Sequence, residues 1–364
     1  MQLNKVRLEI ILCSFLLSNT IFAIELADGF DLYGKISMAF VGKDGTQSLN
    51  NNSSRFGFKY KRDDLIEGFT TGFRAEFGIN TSNTSQNVQG SSDPLNTGRF
   101  VVDNTSDKPF SSRLAYLWLS KGDFEATIGK NWSIWYDITG FTDIFMITGA
   151  YTSSTYTANS EIIGTSRAVD VLDLRYKLGY FHFGAQYKLT GDVSTDYDSD
   201  GDGIDDANLT LENSTAASIR YLRENMIIGI AAIHLESNNN GNKVDKVSVS
   251  IGTKFIYKDF FLAAVYGDAK DLELIEGQFI ETDNLEALVG WRLNKENQFM
   301  VGYNWQISSE IGYENYEIGK YLASYIYAYK TMEFGVEFVY DDSTAVDGGS
   351  LEDHEVFVGA TLYF

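Results

Sequence analysis

Charged side chains recur at every second position of short alternating segments. Arg55 and Lys59 alternate with Phe56, Phe58 and Tyr60, and Arg74 and Glu76 with Phe73, Ala75 and Phe77. Lys35 stands opposite a face formed by Leu32, Ile36, Met38 and Phe40. In an extended chain, successive side chains point to opposite faces, so these groups form a charged surface backed by an apolar one. Arg113, Arg175, Lys188, Arg220, Arg292, Lys320, Glu333 and Glu337 follow the same pattern. A second set of charges, Asp137, Asp143 and Glu161, lies in the patternless stretch 132–166, among Trp132, Trp135, Tyr136, Phe141, Phe145 and Tyr151. A third occupies the run from Asp196 to Asp206, where Asp198, Asp200, Asp202 and Asp206 resemble a short Asp-rich calcium loop. Ca²⁺ takes six to eight oxygen ligands, which alternate residues of a Gly-containing loop supply. Ala207 stands at the twelfth position from Asp196 and the flanking helices of an EF-hand are absent, so a solvated acidic loop is the competing reading. Catalytic chemistry finds little support. His182, His234 and His354 fall on separate segments, and no nucleophile elbow or metal triplet is visible.

The elements that position these charges are strands. Sixteen segments alternate: 30–40, 54–61, 69–78, 112–121, 124–131, 167–178, 180–190, 215–223, 226–236, 244–257, 260–267, 284–293, 298–308, 317–330, 333–341 and 354–364. The faces of 226–236 and 260–267 are ambiguous, since both sides there are apolar. Tight turns such as Lys121-Gly-Asp123, Glu224-Asn225 and Lys258-Asp259 alternate with longer polar loops. An even strand number with short and long connections in alternation is the pattern of an outer-membrane barrel. The last segment, from His354 to Phe364, alternates to its final residue, and a closed barrel gives such a strand a partner. Sixteen strands cannot fill their interior with side chains, so they enclose water. The charged face is then the lumen, and the aromatic face meets lipid. The expected fold is all-β: a transmembrane antiparallel β-barrel of about 16 strands over 24–364.

Composition agrees. Of 364 residues only 2 are proline, while 25 are Phe and 22 Tyr. Residues 1–23 read as a secretory signal peptide, with Lys5 and Arg7 before a short apolar run and Ala23 as its expected last residue. The single cysteine, Cys13, lies within it, so the remainder has no thiol for a disulfide or a metal. A net charge of −21 argues against nucleic acid as a partner. Eight acids and no Lys or Arg lie in 191–214, read as an acidic extracellular loop. The segments near 268–283 and 341–355 read as acidic loops as well. Divalent cations bridging such loops to anionic lipopolysaccharide are natural counter-ions.

Several stretches resemble the trimeric general porins of the Gram-negative outer membrane. They are Leu32-Tyr-Gly-Lys35, Ser54-Arg-Phe-Gly-Phe58, Ser112-Arg-Leu-Ala-Tyr116, Ile128-Gly-Lys-Asn-Trp132, Leu174-Arg-Tyr176 and the terminal Phe364. Their order and spacing carry the resemblance. It implies a homotrimer in the outer membrane, passing ions and small hydrophilic solutes by diffusion, with no cofactor. It also implies that the third loop, 131–166, folds into the lumen. Asp137, Asp143 and Glu161 would then face Lys35, Arg55, Arg74, Arg113, Arg167 and Arg175 across a constriction. The proline- and glycine-containing acidic turn common in that loop has no match here; Gly140-Phe-Thr-Asp143 is the local equivalent. The expected selectivity is weakly cationic. The alternative is a substrate-specific channel for a sugar or other nutrient, using the aromatic loop as a slide.

Overall fold

The computed structural model describes residues 23–43, 45–79, 109–152, 154–157, 160–189, 193–197, 207–239, 241–275, 278–308, 310–351 and 354–364. Residues 1–22 of the expected signal peptide 1–23 and the candidate calcium ligands Asp198, Asp200, Asp202 and Asp206 lie outside the described residues, and Ala23 opens a strand.

Among the described residues, nineteen strands form one antiparallel sheet. In chain order they are β1 (Ala23–Ala27), β2 (Phe30–Lys43), β3 (Thr46–Asn51), β4 (Arg55–Ile66), β5 (Phe69–Ile79), β6 (Phe110–Lys121), β7 (Phe124–Trp132), β8 (Arg167–Leu178), β9 (Phe181–Lys188), β10 (Val193–Tyr197), β11 (Ala207–Arg223), β12 (Met226–Asn239), β13 (Asn242–Tyr257), β14 (Phe260–Ile275), β15 (Gln278–Arg292), β16 (Asn297–Ile307), β17 (Glu317–Tyr329), β18 (Met332–Asp341) and β19 (Glu355–Tyr363). Sixteen of them make the barrel. β1, β3 and β10 are short additions paired to β2, β2 and β11. The ring closes where β19 pairs with β2, from Glu355 opposite Lys43 to Tyr363 opposite Lys35. Closure leaves no unpaired edge, which a structure surrounded by hydrocarbon requires.

Alternation fixes which face is which. Along β18, Glu333, Gly335, Glu337, Val339 and Asp341 are buried inside, whereas Met332, Phe334, Val336, Phe338 and Tyr340 point out and are exposed. The outer surface carries aromatic pairs such as Phe299 with Tyr325 and Tyr303 with Tyr321, at centroid distances of 4.8 and 4.7 Å. Aromatic girdles of this kind border the apolar band of outer-membrane barrels.

Two of the segments read as loops are largely strand. β14 and β15 continue through 268–275 and 278–283, so the 268–283 acids lie mainly on a hairpin. Within 191–214, β10 pairs with the start of β11, from Val193 opposite Leu211 to Tyr197 opposite Ala207. Acids interrupt the strict alternation there, but backbone pairing continues, and Leu272, Ile275, Phe279 and Ile280 are buried within the β14–β15 extension.

The stretch after β7 folds inward and carries two single helical turns, α1 (Tyr136–Thr139) and α2 (Ser160–Ile163). Its base is closed by Ser133 N–H donating to Ser166 O at 2.8 Å. Ile134, Trp135, Ile138, Phe141 and Ile163 pack on Ala216, Ile227, Ala231, Ile233 and Val265 of the inner wall. This contact resolves the two ambiguous segments: both faces are apolar because one meets lipid and the other meets the loop. At roughly 2 kcal/mol per buried apolar side chain, the five loop residues contribute on the order of 10 kcal/mol, an upper estimate that exceeds any single ion pair.

The constriction and its charged wall

The loop is aimed by the wall as well as attached to it. Glu337, on β18, is fully buried and accepts from Met146 N–H at 2.8 Å, Ile147 N–H at 3.2 Å, and the Thr148 N–H and hydroxyl, both at 2.7 Å. Glu286, on β15, accepts from Thr142 Oγ1 at 2.5 Å, Thr152 Oγ1 at 2.7 Å and Thr155 Oγ1 at 3.2 Å. Gln186 accepts from Ile134 N–H at 3.1 Å and donates to Gly164 O at 3.1 Å. Trp135 Nε1 donates to Ser154 O at 2.7 Å inside the loop. A buried carboxylate is tolerated when its oxygens are fully hydrogen-bonded, and these two meet that condition with loop donors.

Glycine makes the space. A Cβ on Gly229 would lie 2.3 Å from Ile138 Cδ1, and one on Gly335 would lie 2.5 Å from Met146 Sδ. Both positions face the lumen under the loop, and a Cβ there would force the Ile138 or Met146 side chain to move.

Opposite the loop, three guanidinium groups converge on one carboxylate. Glu76 is 3% exposed and is met by Arg74 NH2 at 3.0 Å, Arg113 Nε at 3.0 Å and Arg55 Nε at 3.7 Å. Arg113 reaches it from a β-bulge. Glu76 pairs with Leu114 and Phe77 with Ser112, so Arg113 is the extra residue on its strand. Bulges re-aim side chains in this way. Arg74 Nε also donates to Tyr33 Oη at 2.6 Å, and that hydroxyl donates to Glu76 at 3.0 Å.

The loop carboxylates are held separately. Asp137 pairs with Arg175 and Arg220, both at 3.3 Å. Glu161 pairs with Arg167 at 2.9 Å and with Lys130. Asp143 accepts from Tyr136 Oη at 2.5 Å and Tyr156 Oη at 2.6 Å. Burial and the Asp143 carboxylate push both phenols above their ordinary range, so they remain neutral donors.

Between wall and loop lies a cavity of about 560 Å³ lined by Lys35, Arg55, Arg74, Glu76, Arg113, Asp137, Asp143, Arg167, Arg220, Lys254 and Glu333 among its charged groups. Lys35, Arg55, Arg74, Arg113, Arg167, Asp137 and Asp143 all line this one cavity. Arg175 and Glu161 are not among the residues lining it. Arg175 bonds Asp137 and the carbonyl of Trp132, and Glu161 bonds Arg167 and Lys130, contacts that fix the base of the loop. The pattern of alternation puts Glu76, Arg220, Glu333 and Glu337 on the lumen face. What it does not show is that Glu76 gathers three arginines or that Glu337 grips the loop. Lys254 escaped notice because its strand is read mainly from its apolar positions; its ammonium lies 5.2 Å from the centre of the Phe141 ring.

A closed sixteen-stranded barrel with an apolar exterior, a charged interior and a loop drawn across its bore is a transmembrane pore. The chain belongs to the Gram-negative porin family, whose sequence profile matches residues 18–363. It is 25% identical over 395 residues to outer membrane porin PhoE of Enterobacter cloacae, with 100% of both chains covered. Among solved structures it is similar to Salmonella typhi OmpF in complex with daunomycin, with a TM-score of 0.74, 19% identity, and 94% of this chain and 100% of that chain covered. It is also similar to an anion-selective porin from Comamonas acidovorans, with a TM-score of 0.68, 15% identity, and 92% and 99% covered. The protein is an outer-membrane porin, a water-filled channel for the passive diffusion of ions and small hydrophilic solutes.

Proposed function

We propose that this pore favours anions at its narrowest part, although the chain as a whole is acidic. The carrying observation is the lining of the cavity. Seven basic groups (Lys35, Arg55, Arg74, Arg113, Arg167, Arg220, Lys254) stand against four acids (Glu76, Asp137, Asp143, Glu333). Charged groups lining a constriction set which ions pass. The net charge of −21 supports a cation-attracting mouth. That field is screened within roughly 10 Å at 0.1 M salt, whereas ions cross the constriction beside its fixed charges. This reverses the weak cation preference expected from the sequence. Swelling of protein-containing liposomes in anionic and cationic solutes of matched size tests it. Faster entry of the anion supports the reading, and faster entry of the cation refutes it.

The working unit is proposed to be a homotrimer, which the family and the full-length similarity to OmpF-type chains support. Lipopolysaccharide is its proposed outer neighbour. Calcium is proposed at Asp198, Asp200, Asp202 and Asp206, on their spacing in the sequence. Equal cleavage of 196–206 by protease in Ca²⁺ and in EDTA would remove that assignment.

A further inference from the structure

The outer surface carries a cluster of potential ligands that the pore does not use. His234 and Glu236 lie two apart on β12. Ile233 and Leu235 beside them are buried inside the barrel, so the pair shares the outward face with the exposed Ile228 and Ile230. On β13, Asp245 stands directly opposite Glu236, and the exposed Val247 directly opposite His234. The Nε2 of His234 is 2.7 Å from Asp245 Oδ1. One ligand atom from each of the three residues falls within 4.8 Å of the other two, the single such His, Cys, Asp or Glu group among the described residues.

Two of the three residues are acids that face each other across the strand pair. Like charges directly opposite on neighbouring strands weaken a ladder, and Glu236 and Asp245 are such a pair. Lys243, two residues before Asp245, is turned to Glu212 at 3.7 Å. A metal between the two carboxylates would convert repulsion into a cross-strand tie.

The donor set selects the metal. Ca²⁺ and Mg²⁺ take oxygen ligands, whereas an imidazole nitrogen beside two carboxylates suits zinc and its neighbours. Three protein ligands with a fourth position open is a known zinc coordination, with bonds of roughly 2.0–2.2 Å. The ligand atoms must close in by a side-chain rotation, and the Asp245 side chain, 67% exposed, is free to make it.

We infer that His234, Glu236 and Asp245 form a zinc-class divalent-metal site on the outer face of the barrel, tying β12 to β13 beside the lipid-facing band. The site holds a metal and does no chemistry on it.

The test is calorimetric titration of Zn²⁺ into the intact protein in detergent, first stripped with EDTA. Wild type should bind one Zn²⁺ per chain saturably, with millimolar Ca²⁺ failing to displace it. His234→Ala and Glu236→Gln should each weaken that binding by roughly tenfold or more. Zinc-edge absorption of the loaded protein should show one imidazole nitrogen in the first shell. Heat-modifiable gel migration checks that the variants fold. His182→Ala, on a separate strand, serves as a second histidine variant that must bind as wild type does. Equal Zn²⁺ affinity in wild type and His234→Ala, full displacement by Ca²⁺, or a first shell of oxygen alone would overturn the assignment.

Discussion

Glu76 is the one acid on which three arginines of the wall converge, so replacing it isolates the electrostatics of the constriction. Glutamine keeps the shape and one acceptor oxygen, enough for either Arg74 or Arg113, which meet different oxygens of Glu76 at 3.0 Å in the native protein, and it removes one negative charge. For an ion passing roughly 8 Å away through water, one unit charge is worth about 0.5 kcal/mol. Screening at 0.1 M salt reduces this to about 0.2 kcal/mol. The term has opposite sign for chloride and potassium, so their discrimination should change by about 0.5 kcal/mol, about twofold in the permeability ratio. Glu76→Gln should therefore raise the preference for chloride about twofold at 0.1 M. The effect should fade at 1 M salt, where the screening length is about 3 Å. The assay is the zero-current potential across a planar bilayer holding a potassium chloride gradient. Native folding is confirmed by heat-modifiable migration, because burying three guanidinium groups without their carboxylate carries a stability cost. An unchanged ratio at low salt, or a shift toward potassium, would show that this cluster does not face the ion path.

Removing Arg55, Arg74 and Arg113 together with Glu76, by alanine and glutamine substitution, takes away three positive charges and one negative; the chloride preference should fall toward unity in the same assay. Gly229→Ala puts a Cβ 2.3 Å from Ile138 Cδ1, so the buried Ile138 side chain must move and single-channel conductance should change while the barrel still forms. Glu337→Ala leaves four loop donors without their acceptor. At about 1 kcal/mol or more for each lost partner, the loop should loosen, seen as excess open-channel noise and faster proteolysis between 142 and 152.

Much of the barrel is legible in the sequence because its signal is local. Each residue of β18 declares its face by alternation with its neighbours, and closure follows once the strands are counted. The far end of the β14–β15 hairpin is not legible, since Asp268, Asp271, Glu273, Glu281 and Asp283 read as a loop while a register shift after Ala269 breaks the alternation around the buried Leu272, Ile275, Phe279 and Ile280. The charged wall is legible as a list of lumen-facing residues but not as a network. That Arg55, Arg74 and Arg113 meet at Glu76 depends on cross-strand register and on the bulge at Arg113, neither of which composition encodes. The loop contacts are least visible, because Glu286 and Glu337 reach partners more than a hundred residues away. A signal was nonetheless present. Glycines at lumen positions such as Gly229 and Gly335, together with the two-sided apolar character of β12 and β14, mark the wall against which the loop lies.

The selectivity of the pore is read most directly from the wild-type channel itself, reconstituted in a planar bilayer under a gradient of potassium chloride at low salt. Water-filled channels should appear whose zero-current potential reports chloride as the more permeant ion, despite the acidic chain. A potential of the opposite sign would contradict the claim that seven basic groups outweigh four acids at the point where ions pass.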